Sequence, residues 1–386
     1  MKIKATYVRL ASLAIAVVLA LPFIPGMFNG FYLWTSPYLL LLTAVNGRVL
    51  VPLQFIALAV IILALFRHRW YCKWVCPTGA LCDLASQRKS KSNLHRVPKL
   101  GGYIALTGFV AALIGVPVLA MVDPINILHT FVDAFNHPLK VMLIKMTGLV
   151  ILLGISLWIP HVWCLRLCPL GGLQDLLTRI KRLLLRHKTG NSTLQTDRRL
   201  ALGALTGLGA GLLLRNLVKP AQADVIRPPG SLPEDELAVT CLRCGNCSRA
   251  CPTDIISPST DAGRIESLLT PRVSFQSAYC LPECTACGTV CPSGTIHKLT
   301  HETKKQWTMG LARINIDDCL LMKLKECSLC RQFCAYDAII IRRSDTDLSA
   351  WPEIDPRRCV GCGACIIACP VRVIDIETVP GRRLDG

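Results

Sequence analysis

The sequence lacks the signatures of several common redox cofactors. It contains no C-x-x-C-H motif, which excludes covalent haem as far as that signature detects it. No G-x-G-x-x-G follows a predicted strand, which argues against a nicotinamide or flavin site of that type. Acidic residues are scarce in one half: residues 1–199 hold 5 Asp and Glu against 22 Lys and Arg, whereas residues 200–386 hold 20 against 21. The formal net charge of +18 therefore belongs almost entirely to the first half.

A basic half-chain is a usual footprint of nucleic-acid binding, but the hydropathy pattern overrules that interpretation. The basic residues stand between long apolar runs that approach or reach the ~20 residues needed to cross a bilayer. The four runs are Val8–Leu21, Leu50–Phe66, Tyr103–Met121 and Leu139–Ile159. We therefore predict a membrane domain over residues 1–199 with four transmembrane helices, and no nucleic-acid partner.

The charged segments between these runs predict how the helices are oriented. Lys and Arg cluster before the first run, between the second and third runs, and after the fourth. The positive-inside rule places these three segments in the cytoplasm. The first helix is expected to remain uncleaved, because its apolar run ends without a small-residue cleavage site.

A fifth, weaker run covers residues 200–218 and is interrupted by glycines. It follows Arg198-Arg199 and leads to Ala221-Gln222-Ala223, a small-residue pattern of the cleavage type. These features resemble a twin-arginine export signal, so we predict a transmembrane anchor helix. The alternative is an amphipathic or buried glycine-rich helix that never crosses the membrane.

A linker over residues 219–240, with prolines and no long apolar run, precedes a cysteine-rich domain over residues 241–386. Sixteen cysteines of this domain fall into four groups of four. They are Cys241, Cys244, Cys247, Cys251; Cys280, Cys284, Cys287, Cys291; Cys319, Cys327, Cys330, Cys334; and Cys359, Cys362, Cys365, Cys369.

Groups one and four read C-x2-C-x2-C-x3-C-P, the spacing of bacterial ferredoxins. In that arrangement three thiolates bind one [4Fe-4S] cluster and the fourth binds its neighbour, while the proline turns the chain away. A disulfide framework or a zinc site is the alternative, but repeated C-x2-C spacing in sets of four matches neither. Groups two and three depart from the run, with wider spacings and with Ala335 after Cys334. We predict an α+β bacterial-ferredoxin-like domain with four clusters.

The sequence leaves open which groups share clusters. Our hypothesis pairs group one with group four and group two with group three. Cys251 would then join Cys359, Cys362 and Cys365, and Cys369 would join Cys241, Cys244 and Cys247. Cys291 would join Cys319, Cys327 and Cys330, and Cys334 would join Cys280, Cys284 and Cys287.

The membrane half contains an internal repeat with an offset of 92 residues. The segment 70–84 aligns with 162–176, and each copy carries a C-x3-C-P element after an even-numbered helix. If the copies meet, Cys72, Cys76, Cys164 and Cys168 could hold a fifth cluster. Otherwise they are structural or free thiols. Cys82 has no cysteine counterpart, its equivalent being Gln174, and we interpret it as a packed thiol.

Two family resemblances follow from these motifs. The stretches Arg227-Pro228-Pro229-Gly230, Leu232-Pro233-Glu234 and Cys241-Leu242-Arg243-Cys244-Gly245-Asn246-Cys247 resemble the NapG/MauM family of periplasmic polyferredoxins, from about residue 197 onward. The paired C-x3-C-P elements resemble the NapH family of membrane ferredoxin-type proteins, which are thought to oxidise quinol. NapH proteins commonly continue into a cytoplasmic two-cluster ferredoxin, whereas this sequence has no cysteine between Cys168 and Cys241. The chain resembles a fusion of a NapH-like unit with a NapG-like unit.

These resemblances imply a multi-pass protein of the bacterial inner membrane with a periplasmic C-terminal domain. It would pass electrons from the membrane quinone pool to a soluble periplasmic oxidoreductase or cytochrome. A cytoplasmic cluster and a periplasmic cluster chain would lie on faces ~30 Å apart, so a bound quinone or another carrier would have to bridge them. The alternatives are a maturation or regulatory factor that supplies electrons for cofactor assembly, and a non-redox scaffold held together by its clusters.

Candidates for quinol and proton chemistry lie in the loop between the third and fourth runs: Asp123, His129, Asp133 and His137. Solvated polar groups are the alternative interpretation, since titratable groups near a membrane mark proton pathways only when they are buried. His68 and His161 occupy near-equivalent repeat positions and could contact a quinone head group or the cytoplasmic cluster.

Overall fold

The computed structural model describes residues 2–19, 30–45, 55–86, 94, 97–185, 194–217, 225–260, 267–344 and 349–383. The chain forms two compact units. The first comprises Met1–Lys219 and Val239–Cys244, and the second comprises Pro220–Ala238 and Gly245–Gly386. The expected anchor helix over residues 200–218 thus packs with the first unit. The first cysteine group is divided, because Cys241 and Cys244 belong to the first unit.

The first unit is helical in its described part. Its helices are α1 (Lys2–Leu19), α2 (Phe31–Trp34), α3 (Pro37–Val45), α4 (Phe55–Phe66), α5 (Trp70–Trp74), α6 (Pro77–Ser86), α7 (Gly101–Leu113), α8 (Pro124–Asp133), α9 (Leu139–Trp158), α10 (Pro169–Leu185) and α11 (Leu194–Leu217). Short 3-10 segments cover Val118–Val122 and Ala134–Asn136, and a π-helical turn covers Trp163–Leu167.

One helix among the described residues, α9, is long and apolar enough to cross a membrane, with a mean hydropathy of 2.1. Shorter apolar helical stretches cover Thr6–Leu19, Phe55–Phe66, Gly101–Leu113 and Ala201–Leu213. Helices therefore lie in all four predicted runs. The helix in the third run, α7, ends before the apolar run ends. It stops there because Gly115 adopts a left-handed φ of 91° and Pro117 follows. The four crossings stay a prediction.

Two segments expected to be connecting loops form helices that pack into the core of this unit. Helix α3 contributes Tyr38 and Leu42, and helix α8 contributes Ile125, all buried. Helix α8 begins where the sequence favours a helix start, since the Asp123 side chain accepts a hydrogen bond from the Ile125 amide and Pro124 occupies the first turn. The apolar content of these segments explains their burial.

The glycines of α11 form a packing face against α7. Gly203, Gly207 and Gly211 recur at every fourth position, so they lie on one side of the helix. They face successively later positions of α7: Gly203 faces Tyr103 and Leu106, Gly207 faces Thr107 and Val110, and Gly211 faces Ala111 and Ile114. The two helices therefore run parallel, and small residues allow their close approach. The cleavage-like Ala221-Gln222-Ala223 lies outside the described residues.

The second unit combines short helices with three two-stranded antiparallel sheets in its described part. Its helices are α12 (Glu234–Thr240, ending in the first unit), α13 (Asn246–Ala250), α14 (Ala286–Thr289), α15 (His301–Lys305), α16 (Leu329–Gln332) and α17 (Ala364–Ala368). Its strands are β1 (Ile256–Pro258), β2 (Pro271–Val273), β3 (Trp307–Ile314), β4 (Ile339–Arg343), β5 (Ala350–Ile354) and β6 (Ile374–Arg383).

The strand pairing brings neighbouring cysteine groups together. Strand β1 pairs with β2, β4 pairs with β5, and β3 pairs with β6. The β1–β2 hairpin connects cysteine group one to group two, and the β4–β5 hairpin connects group three to group four. The β3–β6 sheet then joins the two halves of this unit.

Candidate metal centres

Two cavities in the second unit are each lined by four cysteines. Cys251 lines one cavity with Cys280, Cys284 and Cys287. Cys334 lines a second cavity with three cysteines of group four, Cys359, Cys362 and Cys365. In each cavity three cysteines come from one group and the fourth comes from the end of the preceding group.

The last cysteines of groups two and four, Cys291 and Cys369, also lie with the neighbouring group. Cys291 shares a core with Cys247, and Cys369 shares a core with Cys330. The predicted pairing of group one with four and of group two with three is therefore wrong. Groups one and two exchange their terminal cysteines, as do groups three and four, because the β1–β2 and β4–β5 hairpins fold sequence neighbours onto each other.

The departures of groups two and three from the ferredoxin spacing do not change the turn after the last cysteine. The third residue after it has a left-handed backbone in all four groups. These residues are Asp254, Gly294, Asp337 and Arg372, with φ values of 57°, 67°, 46° and 52°. Ala335 thus takes the place of proline without altering the turn. The amides of Ile296 and Ala338 donate to the sulfurs of Cys291 and Cys334 at 3.4 and 3.3 Å.

The cysteine side chains of the second unit lie in apolar surroundings. Burial raises the pKa of Cys287 and Cys365 to about 12, and that of Cys330 and Cys362 to about 11. A thiolate is stable at these positions only beside a compensating positive charge, which metal ligation supplies.

A buried lysine that sequence analysis missed lies against group two. Lys304 is 3% exposed, and its Nζ donates to the carbonyl oxygens of Leu281 and Cys284, each at 2.5 Å. It also hydrogen-bonds the Cys280 side chain. Its position on α15, 20 residues beyond Cys284, carries no spacing signal that could have identified it.

Among the described residues, no three His, Cys, Asp or Glu side chains converge on a point that could hold a single metal ion. The cysteine-lined apolar cavities fit a polynuclear cluster instead, in which several iron atoms stand between the ligands. The two halves of the unit adjoin at these cavities, because the Cys280 amide donates to the Cys362 carbonyl at 2.9 Å.

In the first unit the two C-x3-C-P elements come together. Cys168 interacts electrostatically with Cys72 and Cys76, and Cys164 interacts with Cys76 and Cys168. The copies are built alike, because the amides of Gly79 and Gly171 donate to the sulfurs of Cys76 and Cys168, both at 3.4 Å.

The repeats also exchange ion-pair partners. Arg69 binds Asp175 through two hydrogen bonds of 2.7 and 2.6 Å, and its equivalent His161 lies 3.3 Å from Asp83, the equivalent of Asp175. Arg69 and His161 both have left-handed backbones, with φ of 53° and 61°. His68 lies 2.8 Å from Asp175. The two histidines thus contact aspartates next to the cysteine elements, in an approximate two-fold arrangement.

Of the four quinol and proton candidates, Asp123, His129 and Asp133 are buried and His137 is half-buried, and the four do not form one cluster. Asp123 begins α8, accepts from Ser36 at 2.6 Å and is fully buried. Asp133 ends the same helix, about 15 Å away at 1.5 Å per residue. There it pairs with His137 at 3.1 Å and with Lys145, a partner that sequence analysis did not assign. His129 lies between them and is 6% exposed.

Helix α8 also contacts the start of the first ferredoxin motif, which packs with this unit. Asp123 is within electrostatic reach of Cys76 and Cys168. Asn126, within one helical turn of it, donates to the Leu242 carbonyl at 3.1 Å. The side chains of Cys76, Cys168, Leu242 and Cys244 belong to one continuous buried core. This contiguity differs from the wide separation expected between the two cysteine regions.

Three family models match the chain. A 4Fe-4S binding domain matches residues 50–95 and 142–191, which contain the two C-x3-C-P elements. A 4Fe-4S dicluster domain matches residues 240–295, and a further 4Fe-4S binding domain matches residues 352–375. The dicluster match covers groups one and two together, in agreement with their exchange of terminal cysteines.

Among curated proteins, the chain is 30% identical over 192 residues to the methylamine utilization ferredoxin-type protein MauM of Methylobacillus flagellatus, covering 48% of this chain and 81% of that protein. The chain belongs to the MauM/NapG family of ferredoxin-type proteins. The ferredoxin-type protein NapG of Escherichia coli is 30% identical over 46% of this chain and 80% of its own length. The ferredoxin-type protein NapF of the same organism is 32% identical over 39% of this chain and 84% of its own length. No solved structure matches the chain.

The MauM/NapG resemblance is thus confirmed over about half of the chain, and the protein is a ferredoxin-type iron–sulfur electron-transfer protein. Several 4Fe-4S binding domains are present. The NapH-like nature of the first half stays a prediction.

Proposed function

We propose that this chain is an inner-membrane electron carrier that oxidises quinol and reduces a soluble periplasmic oxidoreductase or cytochrome. The observation that carries the proposal is the common core of Cys76, Cys168 and Cys244. It joins a membrane-type cysteine centre to the first ferredoxin motif within one packed unit. A carrier that linked two redox sites would need this continuity.

Membrane insertion is supported by the outward face of α9. Leu143, Val150, Ile151 and Leu157 are each at least 50% exposed, although the helix is apolar along its length. Exposed apolar surface on such a helix is unfavourable in water and favourable in lipid. The basic segments that flank the apolar helices supply the expected cytoplasmic anchors.

A periplasmic second unit is supported by the parallel packing of α11 on α7. In the proposed topology α7 runs outward from the basic segment that precedes it. A helix parallel to it also runs outward, so the chain after α11 begins on the periplasmic side. The export-like character of residues 198–218 agrees with this direction.

The proposed cofactors are five [4Fe-4S] clusters. Four would be held by the sixteen cysteines of the ferredoxin part, and the fifth by Cys72, Cys76, Cys164 and Cys168. When bound, the clusters supply one-electron outer-sphere transfer. The protein supplies burial, the amide donors at Cys76, Cys168, Cys291 and Cys334, and the spacing between neighbouring cavities.

The proposed proton acceptors for quinol oxidation lie on α8 and beside it. Asp133, Lys145 and His137 form a buried ionisable group, with Lys145 3% exposed within an apolar helix. Ionisable side chains buried at membrane depth are costly and are typical of proton pathways. The burial of Asp123, His129 and Asp133 supports this role over that of solvated loop residues.

Iron content and topology test this proposal together. Anaerobically purified full-length protein should carry about 20 iron atoms per chain, four for each cluster. A C-terminal reporter that is active only in the periplasm should be active. About 16 iron atoms would contradict the fifth cluster alone. Far fewer iron atoms, or a reporter active only in the cytoplasm, would contradict the proposed carrier.

A further inference from the structure

The two repeats of the first unit differ at the position that supplies an arginine. Arg69 precedes the first C-x3-C-P element and binds Asp175 of the second copy. The offset of 92 places His161 at the equivalent position, so the second copy offers Asp83 a histidine instead. An arginine nevertheless binds Asp83, because Arg9 of helix α1 donates to its carboxylate through Nη1. Helix α1 thus supplies the guanidinium that position 161 does not.

The two guanidiniums occupy equivalent places. A Cβ added at Gly79 would lie 2.5 Å from Nη2 of Arg9 and 3.5 Å from the carbonyl oxygen of Cys72. One added at the equivalent Gly171 would lie 3.8 Å from Cζ of Arg69. The amide of each glycine donates to the sulfur of the second cysteine of its own element. Each arginine therefore packs on a glycine that holds a proposed ligand sulfur.

A second contact fixes α1 on the first cysteine element. Ser12 is buried, and its hydroxyl donates to the carbonyl oxygen of Val75 at 2.5 Å. Val75 stands between Cys72 and Cys76 in the sequence. Residues three apart lie on the same face of a helix, so one face of α1 carries both Ser12 and Arg9. The Arg9 guanidinium is therefore held in place against this element.

The surroundings of Arg9 favour a role for its charge. Its side chain is 15% exposed, and its buried Nε has no hydrogen-bond acceptor in the part of the chain that the structure describes. A cation in such a place costs free energy unless negative charge nearby offsets the cost. Asp83 supplies one such charge, but its side chain is 41% exposed, so water weakens the pair. Four cysteine thiolates around an iron–sulfur cluster would supply more.

We propose that Arg9 compensates the negative charge of the membrane centre, as the counterpart of Arg69. Both arginines act through their charge and are not ligands. Helix α1 is then a part of the redox centre and not only a predicted membrane span. The inference rests on the proposed fifth cluster. By the membrane centre we mean that cluster, with its ligands Cys72, Cys76, Cys164 and Cys168.

The direction of the effect follows from charge. One-electron reduction adds negative charge to the cluster, so a nearby cation stabilises the reduced form more than the oxidised form. Arg9→Gln removes a cation and leaves the Asp83 carboxylate without its arginine, so it should lower the reduction potential. Asp83→Asn removes an anion and should raise it. Both variants break the same ion pair, so structural damage alone would not shift the potential in opposite directions.

The test is an anaerobic EPR redox titration of the full-length protein, with iron counted per chain. The signal of the membrane centre is identified as the one that Cys168→Ser lacks. Arg9→Gln should keep its iron and lower the midpoint potential of that signal. A fall of up to about tenfold in the reduction equilibrium constant corresponds to 59 mV for a one-electron couple. Arg9→Lys keeps the charge and should stay close to the wild-type midpoint, whereas Asp83→Asn should exceed it.

Arg67→Gln is the matched control, because it removes the same charge from an exposed side chain two residues before Arg69. Screening by solvent and salt should leave its midpoint unchanged. An unchanged midpoint in Arg9→Gln, or shifts of the same sign in Arg9→Gln and Asp83→Asn, would overturn the proposal. Loss of iron from both Arg9→Gln and Arg9→Lys would also overturn it. If only Arg9→Gln loses iron, the proposal fails unless Asp83→Asn raises the midpoint.

Failure of the proposed cluster itself would give a different result. Cys168→Ser should lose iron and one EPR signal. If it loses neither, there is no membrane centre at these cysteines, and this inference fails with the cluster. If it loses both and Arg9→Gln still has the wild-type midpoint, the cluster stands and only the role of Arg9 is wrong.

Discussion

At the scale of single residues, the thiols of the second unit are adapted to ligation and poorly adapted to an iron-free state. Burial raises the pKa of Cys287 and Cys365 to about 12, above the ordinary value of about 8.5. Without iron these groups stay protonated in the folded protein. The unfolded chain loses the same protons at a lower pH.

This difference predicts opposite pH responses for iron-free and iron-loaded protein. Between about pH 8.5 and 11 the unfolded iron-free chain binds fewer thiol protons than the folded one, so its stability should fall as pH rises. Ligation requires deprotonated sulfur, so the loaded protein should hold its clusters more tightly over the same range. Urea unfolding midpoints at pH 7 and 9.5 check this. The same change in urea midpoint between pH 7 and pH 9.5 for the iron-free and the iron-loaded protein would contradict this prediction.

Lys304 provides a second test at this scale. Lys304→Met removes a buried cation and leaves the carbonyls of Leu281 and Cys284 without their donor. We expect a loss of roughly 2–4 kcal/mol in the free energy of unfolding and a lower potential for the centre of group two. Lys305→Met is the control, since Lys305 is exposed on the same helix. Wild-type stability and a wild-type reduction potential in Lys304→Met would contradict this role of Lys304.

At the scale of elements, the sequence predicts local patterns well and long-range partners poorly. The 92-residue offset correctly points to two similar elements, because equivalent residues build equivalent turns. The pairing of cysteine groups depends instead on the hairpins between them. Strands β1, β2, β4 and β5 are short, from three to five residues, and give little periodic signal.

The glycines of α11 are a second example of a long-range contact that the sequence does not predict. In sequence, Gly203, Gly207 and Gly211 weaken a transmembrane prediction, whereas in the structure they are the contact surface with α7. Lys304 and Asn126 act through contacts with backbone carbonyls, which no motif spacing records.

The α7–α11 interface predicts a contrast between two neighbouring glycines. A side chain at Gly207 would place its Cβ 2.8 Å from the Thr107 carbonyl oxygen, whereas Gly209 has nothing within 4 Å. Gly207→Leu should destabilise the first unit by about 1–3 kcal/mol through overpacking. Gly209→Leu should be neutral or slightly stabilising. Thermal unfolding in detergent compares them, and equal midpoints would argue against this interface.

At the scale of the whole molecule, the proposed electron route depends on contact between the C-x3-C-P cysteines and the first ferredoxin motif. Helix α8 supplies it, with Asp123 near the cysteine elements and Asn126 on Leu242. The gap of ~30 Å expected from the sequence followed from placing the C-x3-C-P elements and the ferredoxin motifs on opposite faces of the membrane. Residues 124–133 form the largely buried helix α8 instead, and the side chains of Leu242 and Cys244 share a core with those of Cys76 and Cys168.

Asn126→Ala should therefore slow quinol-dependent reduction of the ferredoxin clusters severalfold, because the Leu242 carbonyl loses its donor and the segment Val239–Cys244 loses its anchor. Iron content should not change. Asn136→Ala is the control, since Asn136 is exposed beyond the end of the same helix. Stopped-flow absorbance measures the rates. Equal rates in both variants would contradict a route along α8.

The most direct measurement of the central claim is anaerobic EPR of membranes during quinol addition, comparing wild type with Cys168→Ser. In the wild type, quinol should reduce the ferredoxin clusters. In Cys168→Ser, dithionite should still reduce those clusters while quinol should not. Quinol reduction of the ferredoxin clusters at the wild-type rate in Cys168→Ser would contradict electron entry through the membrane centre.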